Sequence, residues 1–139
     1  MNDLLFIYGT LMAAAGDKMG RVERTRLARE SRPLGPATTA GFLYDLGRYP
    51  GLVVGAGPAG TVEGELVRLA DPARSLRWLD AYEGIVPGEH DQGEYRRAEI
   101  DVRLPSGASV CAWSYLYVKS IERARLVAGG SWLQRIVRS

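Results

Sequence analysis

Residues 53–69 read VVGAGPAGTVEGELVRL, and how this stretch is read decides the fold. Its first half spells GxGxxG, from Gly55 to Gly60, after two apolar residues, as in the phosphate loop of a dinucleotide-binding unit. That loop works only if it opens a helix, because the helix N-terminus holds the pyrophosphate. The residues that follow, TVEGELV, are rich in β-branched and apolar side chains and broken by Gly64, which is a strand composition. Only 79 residues remain after Gly60, too few for the rest of a dinucleotide fold. The glycines are therefore read as a turn between strands, with no organic cofactor. In the strand through Thr61–Leu69, Val62, Gly64, Leu66 and Arg68 share one face, and Glu63, Glu65, Val67 and Leu69 share the other.

Working outward, Leu4–Tyr8 is a short apolar run closed by Gly9 and reads as a strand buried on both faces. Asp17 is the expected cap of a helix from about Lys18 to Arg29, ended by Pro33 and Gly35. Residues 37–46 read as a strand, followed by the turn GRYPG at 47–51. The segment DPARSLRWLDAYEG, 71–84, has the plainest helix punctuation. Asp71 stands at the N-cap, Pro72 at the first helical position and Gly84 just past the end. Leu76 and Leu79, with Ala73 and Tyr82 a turn away, form its apolar stripe. After a polar loop, Ala98, Ile100, Val102 and Leu104 alternate with charged residues as a half-buried strand. PSG then turns into Val110–Val118, apolar on both faces and expected to be central. The tail from Ile121 to Arg138 is expected to be partly helical, interrupted at Gly129 and Gly130. About six strands and two or three helices give an α+β fold with a strongly curved sheet, one domain over 1–139.

Composition narrows the function. Hydrophobic residues make up 46% of 139, enough for a core, and the net charge of +2 names no polyanionic partner. A single cysteine excludes a disulfide framework and any cysteine-built zinc or iron–sulfur site. Asp3 stands where a signal peptide would be basic, and the first apolar run is too short to span a bilayer, so the expected setting is cytoplasmic, away from membranes. His90 is the lone imidazole and lies in a polar loop, where a solvated role is expected. Cys111, beside Trp113 in mid-strand, is expected to be a small buried hydrophobe. Lys18–Arg32 carries a net charge of +4, but its arginines do not share one stripe and no exposed aromatics interleave them. It is read as a solvated helix face, and no nucleic acid partner is expected.

Two features point to chemistry. Glu83 lies in the last turn of the 71–84 helix, at the negative end of the dipole, with Asp80 three residues earlier. Both influences raise the pKa of Glu83, and burial would raise it further. A carboxyl titrating nearer neutrality suits proton transfer. The local pattern fits an exposed helix-end glutamate equally. Tyr8-Gly9-Thr10 ends the first strand, where a glycine lets backbone N–H groups turn toward an anion or a carbonyl oxygen, or simply makes a strand–loop junction.

FIYGTLM (6–12), LYDLGRYPGLV (43–53), GTVEGELVRL (60–69), RWLDAYEG (77–84), GEYRR (93–97), AWSYLYV (112–118) and GGSWLQR (129–135) follow one another in order. Each is short; together they cover nearly the whole chain and resemble the gamma-glutamylcyclotransferase-like family, especially its short bacterial members. The resemblance implies a gamma-glutamylcyclotransferase-like fold, a small mixed, barrel-like sheet flanked by two or three helices with a pocket at one end. It implies that backbone amides at Tyr8, Gly9, Thr10 and Leu11 hold the glutamyl part of a small gamma-glutamyl compound. The glutamate of the family's LDxxEG pattern falls on Glu83, as catalytic acid and base. The family's tyrosine-x-arginine falls on Tyr95 and Arg97, and Tyr49, Pro50 and Tyr115 match positions near the pocket. The implied reaction closes the gamma-glutamyl group into 5-oxoproline and frees an amine, without cofactor or metal. Relatives divide by that amine: an amino acid, glutathione, a crosslink amine or a natural product. The alternative is a binding domain that captures the same metabolites without turnover. The Ile85–Glu94 loop is longer than the shortest relatives need and is placed to act as a lid.

Overall fold

A computed structural model describes residues 1–12, 15, 20–47, 49–54, 60–85 and 93–134. Along the chain come β1 (Leu4–Ile7), α1 (Arg21–Glu30), β2 (Ser31–Asp45), β3 (Pro50–Val53) and β4 (Gly60–Leu69). Then follow α2 (Pro72–Tyr82), β5 (Tyr95–Arg103), β6 (Ser109–Tyr117) and β7 (Arg125–Leu126). β1 pairs with β4, β4 with β2, β2 with β3, β3 with β6, and β6 returns to β1, so five strands close into a ring. The β1–β6 and β3–β6 junctions are parallel, at Leu5↔Trp113 and Leu52↔Leu116, and the other pairings are antiparallel. β5 runs antiparallel to β6 over its full length and touches β2 at Thr38↔Arg103. The mixed, barrel-like sheet with two helices agrees with the expected α+β fold. Closure of so small a ring needs strong curvature, and β2, the longest strand, carries a register shift between Pro33 and Gly35.

α2 forms where its punctuation predicts. The Asp71 side chain accepts from the Arg74 N–H at 3.3 Å, Pro72 occupies the first turn, and Gly84 takes the left-handed conformation at φ 79 that ends the helix. Leu76 and Leu79 of its stripe are fully buried, with Phe6, Leu43, Leu52 and Leu66 in the same core. α2 is tied to α1 through Glu30, whose carboxylate accepts from Ser75 Oγ at 2.7 Å and Trp78 Nε1 at 2.8 Å. Arg26 adds an ion pair at 2.9 Å. Burial works against the charge of Glu30, but these donors outweigh it and lower its pKa to about 2.

Several expectations are corrected. α1 begins at Arg21 with Gly20 at its N-cap, so Asp17, itself outside the described residues, is not the cap. The helix ends at Glu30, within one residue of the expected Arg29, but it is stopped before Pro33 and Gly35, because Ser31 already pairs with Leu69 and its hydroxyl closes back on the Leu27 carbonyl. The GRYPG turn and glycine-rich loop conceal β3, a four-residue strand paired with β2 and β6. The tail carries β7, hydrogen-bonded to the end of β2, and no helix among its described residues. Cys111 is exposed, on the outward side of β6 while Ala112 faces the core, and its thiol donates to Glu99 at 3.1 Å. No helix among the described residues is long and apolar enough to cross a membrane.

Candidate active site

β1 delivers the chain into a tight turn at the open end of the ring. The Met12 N–H donates to the Gly9 carbonyl at 3.1 Å. Gly9 sits hard against β3: a Cβ there would lie 2.7 Å from Cγ of Pro50, closer than carbon atoms pack, so only glycine fits. Tyr8 is buried, and its phenol donates to the Tyr115 carbonyl and accepts from the Leu52 N–H at 3.3 Å, joining β1, β3 and β6. Arg24 of α1 donates to the Thr10 carbonyl at 2.7 Å. The Thr10–Leu11 peptide is trans, so holding that oxygen toward α1 aims the Leu11 N–H away from it.

The end of α2 supplies the facing wall. Tyr82 brings its hydroxyl to 3.4 Å from Thr10 Oγ1, spanning from helix to turn. Glu83 is the C-cap residue, with its N–H on the Leu79 carbonyl at 2.9 Å. Its side chain is only partly open to solvent, at the wall of a cavity and otherwise walled in by protein. Burial first, and the Asp80 charge second, raise its pKa from 4.5 to about 7. Asp80 accepts from three donors: Arg97 Nε at 2.8 Å, Arg97 Nη2 at 3.3 Å and the Tyr115 hydroxyl at 2.7 Å. The Arg97 guanidinium in turn lies 4.3 Å from the centre of the Trp113 ring. The Tyr95 hydroxyl donates to the Pro50 carbonyl at 2.6 Å, fixing β3 from the other side. Burial pushes the phenols of Tyr8, Tyr95 and Tyr115 well above the ordinary tyrosine range. Tyr49, which donates to Glu94 Oε2 at 2.8 Å, is pushed up to about 12, chiefly by that bond.

Between these walls lies a cavity of about 390 Å³. The turn from Tyr8 to Leu11 and Glu83 line it together, 72 positions apart in sequence at their nearest. Tyr49, Pro50, Tyr95 and Tyr115 line it as well. Arg97 does not: its guanidinium is spent on Asp80, one step behind the wall. Sequence reasoning missed Phe6, Ile7, Tyr82, Gly84, Gly93 and Glu94 as lining residues. Tyr82 and Glu94 were within reach, as direct neighbours of Glu83 and Tyr95 in two of the quoted motifs. Phe6 and Ile7 carry no signal that separates a cavity wall from a core strand. His90, most of the Ile85–Glu94 loop expected to act as a lid (86–92) and the glycines of 55–59 lie outside the described residues, but Gly60 opens β4, so a strand follows the GxGxxG spelling. In the basic segment, Arg24 and Arg26 are engaged within the chain, Arg26 also lying 4.6 Å from the Trp78 ring centre.

A family model described as "Gamma-glutamyl cyclotransferase, AIG2-like" matches residues 5–134. A Vibrio cholerae relative, named provisionally as a gamma-glutamylcyclotransferase, is 37% identical over 138 residues, covering 98% of this chain and 100% of its own. The gamma-glutamylcyclotransferase family protein YtfP of Escherichia coli K12 is 32% identical over 132 residues, 94% of this chain and 96% of its own. Among solved structures, YkqA from Bacillus subtilis superposes with a TM-score of 0.70 at 25% identity, over 99% of this chain but 43% of YkqA. An AIG2-like protein from Mus musculus gives a TM-score of 0.64 at 20% identity, over 87% of this chain and 80% of that one, a likeness of fold.

Proposed function

Since the chain belongs to the gamma-glutamyl cyclotransferase, AIG2-like family, we propose that it is an enzyme that cyclises the gamma-glutamyl part of a small amide to 5-oxoproline and releases the amine. The observation that carries this reading is a carboxyl with a pKa raised to about 7 on the wall of a cavity whose other wall is the Gly9 turn. In a gamma-glutamyl amide the α-amine nitrogen and the side-chain carbonyl carbon are the two ends of a five-atom chain. Its attack forms the C–N bond of a lactam and breaks the C–N bond to the departing amine. The attacking nitrogen must lose a proton and the departing one must gain a proton. Near neutrality Glu83 is divided between its two forms, so its carboxylate takes the first proton and the resulting acid delivers it to the second nitrogen. The carbonyl oxygen, negative in the tetrahedral intermediate, needs a donor, and the Leu11 N–H, aimed by the Arg24 contact, supplies one. Reaction within one molecule leaves the cavity chiefly the task of holding a bent conformer, for which Pro50, Tyr95 and Tyr115 are the walls.

The test is a panel of gamma-glutamyl compounds scored for 5-oxoproline. Glu83→Gln is expected to lose at least about a hundredfold in kcat, the low end of general acid–base contributions, with its circular dichroism unchanged. Unchanged turnover removes Glu83 from the mechanism. Tight binding of the panel with no product over long incubation makes the chain a capture domain instead.

A further inference from the structure

Beside the cavity described above lies a second, more open one of about 570 Å³, and Tyr49 and Glu94 line both. Its far side comes from the end of β2, the turn after it, and the segment leading into β7. The two cavities differ in charge. Among the described residues the inner one has two carboxylates, Glu83 and Glu94, and no basic side chain. The outer one adds two guanidiniums, Arg123 and Arg125, and one further carboxylate, Asp45. Both of its carboxylates already accept hydrogen bonds, Asp45 from the Gly47 N–H at 2.8 Å and Glu94 from Tyr49 at 2.8 Å. Both guanidiniums are exposed, and neither forms an ion pair or side-chain hydrogen bond among the described residues.

We propose that the outer cavity receives the amine half of the substrate and that this half bears a carboxylate gripped by Arg123 and Arg125, as an amino acid or short peptide joined through its amino group would. The inference rests on the reading of the inner cavity as the gamma-glutamyl site. With the reacting amide beside Glu83, the departing amine extends from the inner cavity, and the shared wall of Tyr49 and Glu94 is where a neighbouring cavity meets it. A carboxylate on that amine meets no cation among the described residues of the inner cavity, only the carboxyl groups of Glu83 and Glu94. Among the described lining residues the cations, Arg123 and Arg125, are across the shared wall, and guanidinium matches a carboxylate in a planar, two-bond fork. A plain alkylamine or a polyamine would leave both arginines unused.

The experiment compares gamma-glutamylalanine with gamma-glutamylethylamide, which differ by that one carboxylate, on the wild type and on Arg123→Gln/Arg125→Gln. The wild type is expected to favour the alanine compound by about tenfold in kcat/KM, the scale of one charge-assisted contact. In the double variant the KM for gamma-glutamylalanine is expected to rise until the preference is gone, with kcat retained. Equal handling of both compounds by the wild type, or a double variant that weakens both alike, overturns the subsite and leaves the cyclisation intact. If the wild type turns over neither compound, the cyclisation fails and calorimetry decides the subsite alone. Binding of gamma-glutamylalanine about tenfold tighter to the wild type than to the double variant sustains it, and equal or absent binding overturns it.

Discussion

Replacing Glu83 with Gln is expected to make the protein more stable above neutrality even as it removes turnover. The folded state raises the pKa of Glu83 from 4.5 to about 7, so the folded chain holds that proton more tightly than the unfolded chain does. Between pH 4.5 and about 7 the unfolded state loses the proton first, and stability falls as pH rises through that window. One pKa unit corresponds to about 1.4 kcal/mol, which sets a ceiling of about 3 kcal/mol on the cost of the ionised carboxylate. The side chain keeps some contact with solvent, so a cost of about 1–3 kcal/mol is the working expectation. Glutamine retains the shape of the neutral acid at every pH. The variant should therefore match the wild type at pH 4 and exceed it by about 1–3 kcal/mol at pH 8. Urea unfolding at both pH values, extrapolated to zero denaturant, measures the difference. A gap that is the same at pH 4 and pH 8, or a variant weaker than the wild type at pH 8, refutes the claim that the fold disfavours the charge on Glu83.

Asp80→Asn removes the second of the two influences on Glu83, so the acidic limb of the kcat profile is expected to move to lower pH while burial keeps it above the ordinary glutamate range. A limb that stays in place means that Asp80 does not act on Glu83. Gly9→Ala drives a methyl into the Pro50 ring, at 2.7 Å from Cγ, and should cost about 1–3 kcal/mol in unfolding free energy and raise KM as the turn is displaced. Unchanged melting and KM would mean that β3 yields freely at Pro50.

What the sequence carries well is local. α2 is legible almost to the residue because Asp71, Pro72 and Gly84 each act on backbone within one turn of themselves. Glu83 is visible for the same reason, as is its neighbour Asp80. The larger cause of its raised pKa is burial, made by strands and a turn from distant parts of the chain, and no local pattern encodes that. β3 escapes because four residues with Gly51 in the middle have little strand propensity; it exists through pairing with Leu43 and, 64 positions on, with Leu116. β7 is a two-residue strand set by its hydrogen bonds to the end of β2 rather than by its own sequence. Cys111 shows the limit of an apolar run: β6 pairs with β5 along its length, yet only alternate residues of its first half face the core. The family motif brings Arg97 to the right neighbourhood, and the ion pair with Asp80 then decides where its charge goes.

The closed ring also sets an order of events during synthesis. β1 leaves the ribosome first, yet its parallel neighbour at Trp113 is made 108 residues later, and its antiparallel neighbour β4 some 60 residues later. Until β6 emerges, the N-terminal strand has one open edge and the Tyr8 hydroxyl lacks its carbonyl acceptor on Tyr115. Contacts of such long sequence separation slow folding. A nascent chain stalled before residue 109 would leave the edge of β1 that β6 covers open to pairing with other strands.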